Sequence, residues 1–294
     1  MRTIEKEGIL FMSKLRLKKF ICFALSAFIT VGTVSNTLAD DNETVYVEDT
    51  LLQKGYPQIV LDAMDNDAMK IVYEEDLDFA GAVLCYYNEE EGTFTEINVE
   101  EDGTYVNPRG QIPDTDLSMS FTYAHSTSSG KLSTLRVIFS YDWNNLPINR
   151  WQDPIGISWD STKFRLKDNS FEKLDKYDGL KADETGSVFI PVKNQVHSHS
   201  KNYASASSNG VTWYADLKGY TNEVVQKLYG YGTFTLTCTS PTASGSTVLY
   251  GRYVHPKLNI NLGIIIKDYG NFSVSGTGTF DELGTQKTFK WPVK

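Results

Sequence analysis

Residues 117–141 read LSMSFTYAHSTSSGKLSTLRVIFSY, and apolar and polar side chains alternate along most of this segment. Apolar side chains recur at every second position both before and after the central STSSG, residues 126–130. A period of two is typical of an antiparallel strand with one buried face, and Ser, Thr and Gly favour the turn between two such strands. The segment therefore predicts a β-hairpin.

Similar short patterns, separated by turn residues, continue to the end of the chain. They predict further strands near residues 155–160, 163–167, 186–193, 211–217, 231–239, 246–255, 259–267, 271–280 and 286–293. This regular recurrence predicts a mainly β fold, an antiparallel β-sandwich or barrel-like domain. Cys85 lies in a further strand-like run that begins near residue 79.

Helices are expected in two places. Residues 51–75 predict two short helices, the first opening at Pro57 and the second capped by Asn66. One more helix is expected within the β-rich part, from an N-cap at Thr221 to an end at Gly230, because the apolar side chains between them have helical spacing. The fold prediction is thus a β domain with a short helical N-terminal segment.

The N-terminal residues have the pattern of a secretory signal peptide. A basic cluster is followed at once by the apolar run of residues 20–34, which at 15 residues is shorter than a membrane-spanning helix. Small residues before the acidic stretch predict cleavage between Ala39 and Asp40. An uncleaved anchor is the alternative interpretation. With cleavage, the protein is expected to be secreted, with no membrane span in the mature chain.

The predicted organisation has three parts. Residues 1–39 form the signal peptide, with translation beginning at Met1 or Met12. Residues 40–78 form an acidic lead-in with the short helices, and residues 79–294 form the β-rich domain, in one or two β subdomains. Without residues 1–39 the chain keeps 22 basic and 35 acidic residues, a formal charge of −13. Such a charge argues against a nucleic-acid partner.

Two cysteines, Cys85 and Cys238, remain after the predicted cleavage. In an oxidising exterior an even number of cysteines suggests a disulfide. Two buried free thiols are the alternative, since both residues lie in apolar, strand-like runs. The spacing leaves both interpretations open.

Three of the five tryptophans fall within residues 140–160, interleaved with Asp, Asn and Arg. Sugar sites use this mixture, because a flat aromatic face stacks on a pyranose while planar polar groups bond its hydroxyls. The resulting ligand-site prediction comprises Trp143, Asn145, Arg150, Trp151, Asp153 and Trp159. The competing interpretation, that the tryptophans anchor the core, has the greater weight because buried aromatic residues dominate core energetics.

No catalytic or cofactor motif stands out. His197 and His199 are two positions apart, so on a strand both imidazoles would face one side. A zinc site needs three or four ligands, and no companion ligand lies at a recognisable spacing. We therefore predict no metal and no cofactor, with this histidine pair as the weak candidate for a metal site. A nucleophile elbow is also missing, because Gly156-Ile157-Ser158-Trp159-Asp160 lacks the second glycine.

The stretch Lys54-Gly55-Tyr56-Pro57, together with the signal peptide and the β-rich remainder, resembles exported proteins of unknown function from Gram-positive bacteria. The resemblance covers mainly residues 12–75. It implies export and a bacterial source, and it implies no activity and no functional residues.

Three functional hypotheses follow. The leading one is a secreted, non-enzymatic binding or surface-interaction protein whose ligand is a glycan or another cell-surface component. The second is an extracellular enzyme acting on a polysaccharide, which predicts a pair of carboxylates facing a cleft, one with a raised pKa. The third is a structural or partner-binding role, which predicts an exposed apolar patch.

Overall fold

The computed structural model of the chain is built mainly from antiparallel strands and describes residues 38–105, 115–183, 185–219, 223–258 and 261–291. The helices among these residues are α1 (Leu38–Gln53), α2 (Gln58–Leu61) and α3 (Asn66–Glu74). The strands among them are β1 (Asp78–Asn88), β2 (Thr93–Val99), β3 (Leu117–Ser128), β4 (Lys131–Trp143), β5 (Gln152–Ser158), β6 (Phe164–Leu166), β7 (Glu172–Ala182), β8 (Phe189–Ser200), β9 (Ser205–Ser207), β10 (Gly210–Asp216), β11 (Val224–Cys238), β12 (Gly245–Pro256), β13 (Gly263–Asp268), β14 (Asn271–Ser275) and β15 (Phe280–Trp291). The mainly β, sandwich-like fold predicted from the sequence is confirmed.

Two antiparallel sheets make up the sandwich. The first has the strand order β2-β1-β3-β4-β11-β7-β8, with the short β6 also paired to β11. The second has the order β15-β12-β5-β10-β9. The main hydrophobic core contains side chains from both sheets, including Phe121, Phe139, Trp213 and Phe289. The strands, the helices α2 and α3 and this core belong to one compact unit that begins at Thr44.

The hairpin predicted over residues 117–141 is present as β3 and β4. The two strands pair from Leu117 opposite Trp143 to Ser128 opposite Lys131, with a one-residue shift of register between Ser126 and Thr127. Ser129 and Gly130 form the turn, and both have positive φ angles, 52° and 72°. Two residues with positive φ suit the right-handed twist of the flanking strands. The hairpin lies in the middle of the first sheet, between β1 and β11.

The helices cover the outer face of the first sheet. Their apolar side chains pack against strand residues such as Leu84, Ile97 and Ile138 in a second buried cluster. Two details differ from the sequence prediction. Residues 40–50 of the acidic lead-in, which precede the predicted helices, belong to α1, and the N-cap of α3 is Asp65 rather than Asn66. Asp65 takes this role because its carboxylate accepts a hydrogen bond from the Asp67 amide at 2.9 Å.

The helix predicted between Thr221 and Gly230 is wrong where the structure describes it. Thr221 lies outside the described residues, and Val224 begins the long strand β11, which pairs with β4 and β7. The register slips between Val225 and Lys227, and this bulge lets Val225 and Leu228 both enter the core. Because these two residues are three positions apart, the sequence pattern is the same as that of a helix.

A small hairpin, β13–β14, packs on the second sheet. Ile264 and Phe272 of the hairpin lie over Gly156, where an added Cβ would sit 2.9 Å from the Ile264 Cγ2. Gly210 is crowded in the same way by Ile266. A Cβ at either position would force the hairpin side chains above it to shift, so the absence of a side chain there allows the close approach. Ile260, which belonged to the predicted strand, lies outside the described residues.

The disulfide alternative for Cys85 and Cys238 is wrong: both are free and buried thiols. Cys85 lies in β1 and Cys238 at the end of β11, with β3 and β4 between those strands. Three strand spacings amount to about 14 Å, whereas a disulfide joins Cα atoms about 4.4–6.8 Å apart. The order of the strands therefore prevents the bond.

The predicted signal peptide falls largely outside the described residues, since residues 1–37 are not among them. Ala39 and Asp40, on either side of the predicted cleavage point, belong to α1. Within the described ranges, no helix is both long and apolar enough to cross a bilayer.

Candidate functional site

A cleft of about 860 Å³ opens at one end of the sandwich. It is formed where β1 turns into β2, where the chain enters β3, where β4 connects to β5, and just after β12. Ligand sites commonly have volumes of about 300–1,000 Å³, and loops held by a rigid scaffold often carry function. The cleft is therefore the site to consider first.

Two asparagines of the β4–β5 connection are held in fixed orientations at the cleft. The Asn145 Nδ2 donates to the Asp116 Oδ1 at 2.9 Å. The Asn144 Nδ2 donates to the Thr115 carbonyl and to the Ser118 Oγ, both at 3.2 Å. Because a carboxylate and a carbonyl accept only, these contacts fix which end of each amide is nitrogen. The Oδ1 atom of each side chain receives no hydrogen bond from the described residues.

Asn149 is held still more firmly. Its Nδ2 donates to the Pro256 carbonyl at 2.6 Å and to the Leu258 carbonyl at 3.1 Å. The residue is only 8% exposed, yet it lines the cleft. Its Oδ1 has no partner among the described residues. The amide is therefore tied down by its nitrogen, and its oxygen is free of the hydrogen bonds that the described residues make.

The charged side chains around the cleft are mainly acidic. The Asp116 carboxylate also accepts a hydrogen bond from the Glu89 amide at 2.7 Å, which fastens the β1–β2 turn to the start of β3. Glu89 and Glu90 line the cleft and form no ion pair with the described residues. Lys257 also lines it, but its Nζ lies 2.9 Å from the Asp281 carboxylate.

A buried polar cluster lies behind the cleft. The His255 Nδ1 is 3.1 Å from the Asp153 carboxylate, which also accepts a hydrogen bond from the Tyr253 hydroxyl. The His255 ring lies 4.9 Å from the Trp143 ring, and His255 and Asp153 are each 1% exposed. Neither the His255 Nε2 nor the Trp143 Nε1 has a hydrogen-bond partner among the described residues. This cluster is closed to solvent and supports the cleft from below.

The pKa values of His255 and His125 shift in opposite directions. Burial disfavours a charged His255, but Asp153, with weaker help from Glu89 and Asp281, outweighs it and raises the pKa of His255. Burial lowers the pKa of His125.

We expect NMR titration to find His255 protonating above the ordinary value of about 6.5 and His125 below it. His255→Asn and His125→Asn variants would assign the two signals. Because the folded-state pKa of His255 is raised, its contribution to stability is complete below the unfolded-state pKa and is lost as pH rises through the folded-state value. An upper titration that persists in His255→Asn would contradict the assignment.

The residues predicted for the ligand site do not form one surface. Trp143 and Trp159 are fully buried, so their rings belong to the core and face no ligand. Trp151 is 42% exposed, and its Nε1 donates to the Asn261 Oδ1 at 3.1 Å. Asp153 is buried against His255, as described above. The interpretation of the tryptophans as core anchors therefore holds for two of the three.

Asn145 is the member of the predicted set that lines the cleft. Arg150 lies close by in sequence, and its Nε points to the Pro147 carbonyl at 3.4 Å. Sequence reasoning missed Asp116, Glu89 and Lys257, because they come from segments far apart along the chain, and it passed over Asn149 within the segment of residues 140–160. The recurrence of asparagine at positions 144, 145 and 149 was the signal available.

Comparison with known proteins identifies no family for this chain. No family model matches the chain, and no curated protein matches it. Among the solved structures that match is the Clostridium perfringens delta-toxin, with 4% identity over 71% of this chain and 93% of that one. The TM-score is 0.29, and the match carries no argument about function.

His197 and His199 lie on β8 and contact different carboxylates. The His199 Nε2 is 3.0 Å from Glu172, whereas the His197 Nε2 is 3.8 Å from Asp216. No group of three or more His, Cys, Asp or Glu side chains among the described residues is placed to hold a metal ion.

A second, smaller cleft of about 310 Å³ carries the carboxylate pair that the enzyme hypothesis predicts. Burial raises the pKa of both Asp65 and Asp142. However, Asp65 lies 2.8 Å from the Lys176 Nζ and Asp142 lies 2.7 Å from the Lys227 Nζ. The ammonium groups oppose the effect of burial on both pKa values without cancelling it. Buried ion pairs that serve only the structure also shift pKa values in this way.

The third hypothesis predicts an exposed apolar patch. Val188, Phe189 and Ile190, where the chain enters the edge strand β8, are each more than half exposed. An edge strand with apolar side chains is a potential pairing surface, and this feature is what supports a partner-binding role.

Proposed function

We propose that this protein is an exported binding protein that holds a glycan in the cleft between the β1–β2 turn and the β4–β5 connection. The observation that carries the proposal is the set of fixed amides at Asn144, Asn145 and Asn149. Their nitrogens are bonded to the protein, and their oxygens are left to accept hydrogen bonds from a ligand.

Sugar hydroxyls are suitable donors for such oxygens. A hydroxyl donates one hydrogen bond and rotates to find its acceptor, so a row of acceptors can bind several hydroxyls of one ring. Because the amides are already held in place, little side-chain entropy is lost when the ligand binds. The signal-peptide pattern of residues 1–39 supports the exported part of the proposal.

The test is a thermal-shift screen of the full chain against neutral oligosaccharides and cell-wall fragments. A ligand at 100 times its Kd stabilises the folded state by about 2.7 kcal/mol. We expect the double variant Asn144→Ala/Asn145→Ala to bind about tenfold more weakly, since two hydrogen bonds at about 0.5–1.5 kcal/mol each are lost. The exposed Asn271→Ala, on the β13–β14 hairpin, is the matched control.

Unfolding of each variant without ligand separates lost binding from lost stability, because Asn145 also contacts Asp116. A flat response to every sugar would contradict the proposal. So would binding that is as strong in the double variant as in Asn271→Ala.

A further inference from the structure

The charged side chains of the cleft narrow the class of glycan that it can bind, and this inference rests on the proposed function. We infer that the glycan bound in this cleft carries protonated amino groups, as in an oligosaccharide of de-N-acetylated amino sugars. The inference concerns the class of ligand and uses the same cleft, defined by its three fixed asparagines and by Glu89, Glu90 and Asp116.

The first argument is the balance of charge. Glu89, Glu90 and Asp116 place three carboxylates around the cleft. The Lys257 ammonium, the cation that lines it, is paired with Asp281 at 2.9 Å. A neutral sugar would leave this negative potential unused, and an acidic sugar would be repelled by it. An ammonium group is attracted to it.

The second argument is the balance of donors and acceptors. The Asn144, Asn145 and Asn149 nitrogens are all bonded within the protein, so the cleft offers amide oxygens and carboxylates. Asn149 is the most informative, because it is more than nine-tenths buried, lines the cleft, and has both of its described side-chain hydrogen bonds on its nitrogen, so that its oxygen has no partner among the described residues. An ammonium group brings three donors and no acceptor, which matches such a surface.

A metal ion is a weaker explanation of the same oxygens. A metal needs its ligands gathered within about 2.0–2.6 Å of one point, and no group of three or more acidic, histidine or cysteine side chains among the described residues is so placed. Oxygens spread along a cleft suit an extended ligand with several donors.

The test is isothermal titration calorimetry of the full chain with two probes of equal length, an oligomer of glucosamine and an oligomer of N-acetylglucosamine. We expect the amine-bearing oligomer to bind at least tenfold more tightly at low salt and to lose this advantage as salt rises. The two probes differ in charge and in the acetyl group, so the variants below separate these effects.

The double variant Glu89→Gln/Glu90→Gln keeps the size of both side chains and removes two charges. We expect it to bind the amine-bearing oligomer about tenfold more weakly and the acetylated oligomer within twofold of the unmodified chain. Glu74→Gln, an exposed acid on α3 away from the cleft, is the control for a change in overall charge.

The outcomes separate the inference from the proposed function. Equal binding of both oligomers would overturn the inference and leave glycan binding in place. An amine preference that survives in Glu89→Gln/Glu90→Gln would also overturn it, because the carboxylates would not be its cause. Binding of neither oligomer would overturn the inference, and the proposed function would fall with it only if every sugar in the thermal-shift screen also gave a flat response.

Discussion

Replacing Trp143 by alanine is expected to lower the free energy of unfolding by about 3–5 kcal/mol, the usual cost of removing a large buried aromatic side chain. Trp143 is fully buried and packs edge-on to Tyr87 and close to the His255 ring. Its loss would leave a cavity beneath the cleft. Urea unfolding followed by circular dichroism measures the effect.

Trp151→Ala is the matched control. Trp151 is 42% exposed, and surface substitutions usually change stability by less than about 0.5 kcal/mol. A Trp143→Ala protein with unchanged stability and lost ligand binding would contradict the core assignment and restore Trp143 as a ligand contact.

Replacing Lys176 by methionine is expected to destabilise the protein by about 3–5 kcal/mol, because it leaves a buried charge without its partner. The Lys176 Nζ donates to Asp65 at 2.8 Å and to Asp67 at 2.9 Å, and it lies 5.0 Å from the centre of the Tyr229 ring. Burial disfavours the lysine charge, but the two carboxylates outweigh it and raise the pKa of Lys176. This contact joins the N-terminus of α3 to β7.

The double variant Lys176→Met/Asp65→Asn should be more stable than Lys176→Met alone. Asparagine keeps the N-cap of α3 and removes the orphaned charge. Burial already raises the pKa of Asp65 in the unmodified protein, and removing the lysine raises it further. Stability linked to a raised pKa is lost as pH increases, so the defect in Lys176→Met should grow as pH rises above the already raised pKa of Asp65 in the unmodified protein. A defect that is independent of pH, or equal in the double variant, would contradict this account.

The regular strands could be predicted because apolar and polar side chains alternate along them, a pattern that can be read directly from the local sequence. The β3–β4 hairpin is an example, since its turn and both of its faces are local features of the sequence. Strand β7 gave no such signal. Lys173, Asp175 and Lys176 are buried there through ion pairs with each other and with Asp65, and a buried charge looks like a surface position in a sequence.

The cleft could be predicted only in part. Asn145 could be predicted because it lies in the unusual segment of residues 140–160. Asp116 and Lys257 are more than a hundred positions apart, and only the pairing of the strands brings them to one end of the sandwich. The tryptophans were included in the predicted ligand site for a related reason. Whether such a side chain is buried depends on which face of its strand it occupies, and the segment alone does not show that.

The two separated thiols place a constraint on how this chain can mature. Burial raises the pKa of the Cys85 thiol well above its usual range and that of Cys238 to about 11, so the folded protein offers almost no reactive thiolate. An unfolded chain has no such protection, and a bond between the two sulfurs would hold β1 and β11 side by side where β3 and β4 must lie between them. In an oxidising compartment, the chain therefore has to fold faster than its thiols oxidise. A disulfide formed before folding would trap the chain in a misfolded state and would not stabilise the native one.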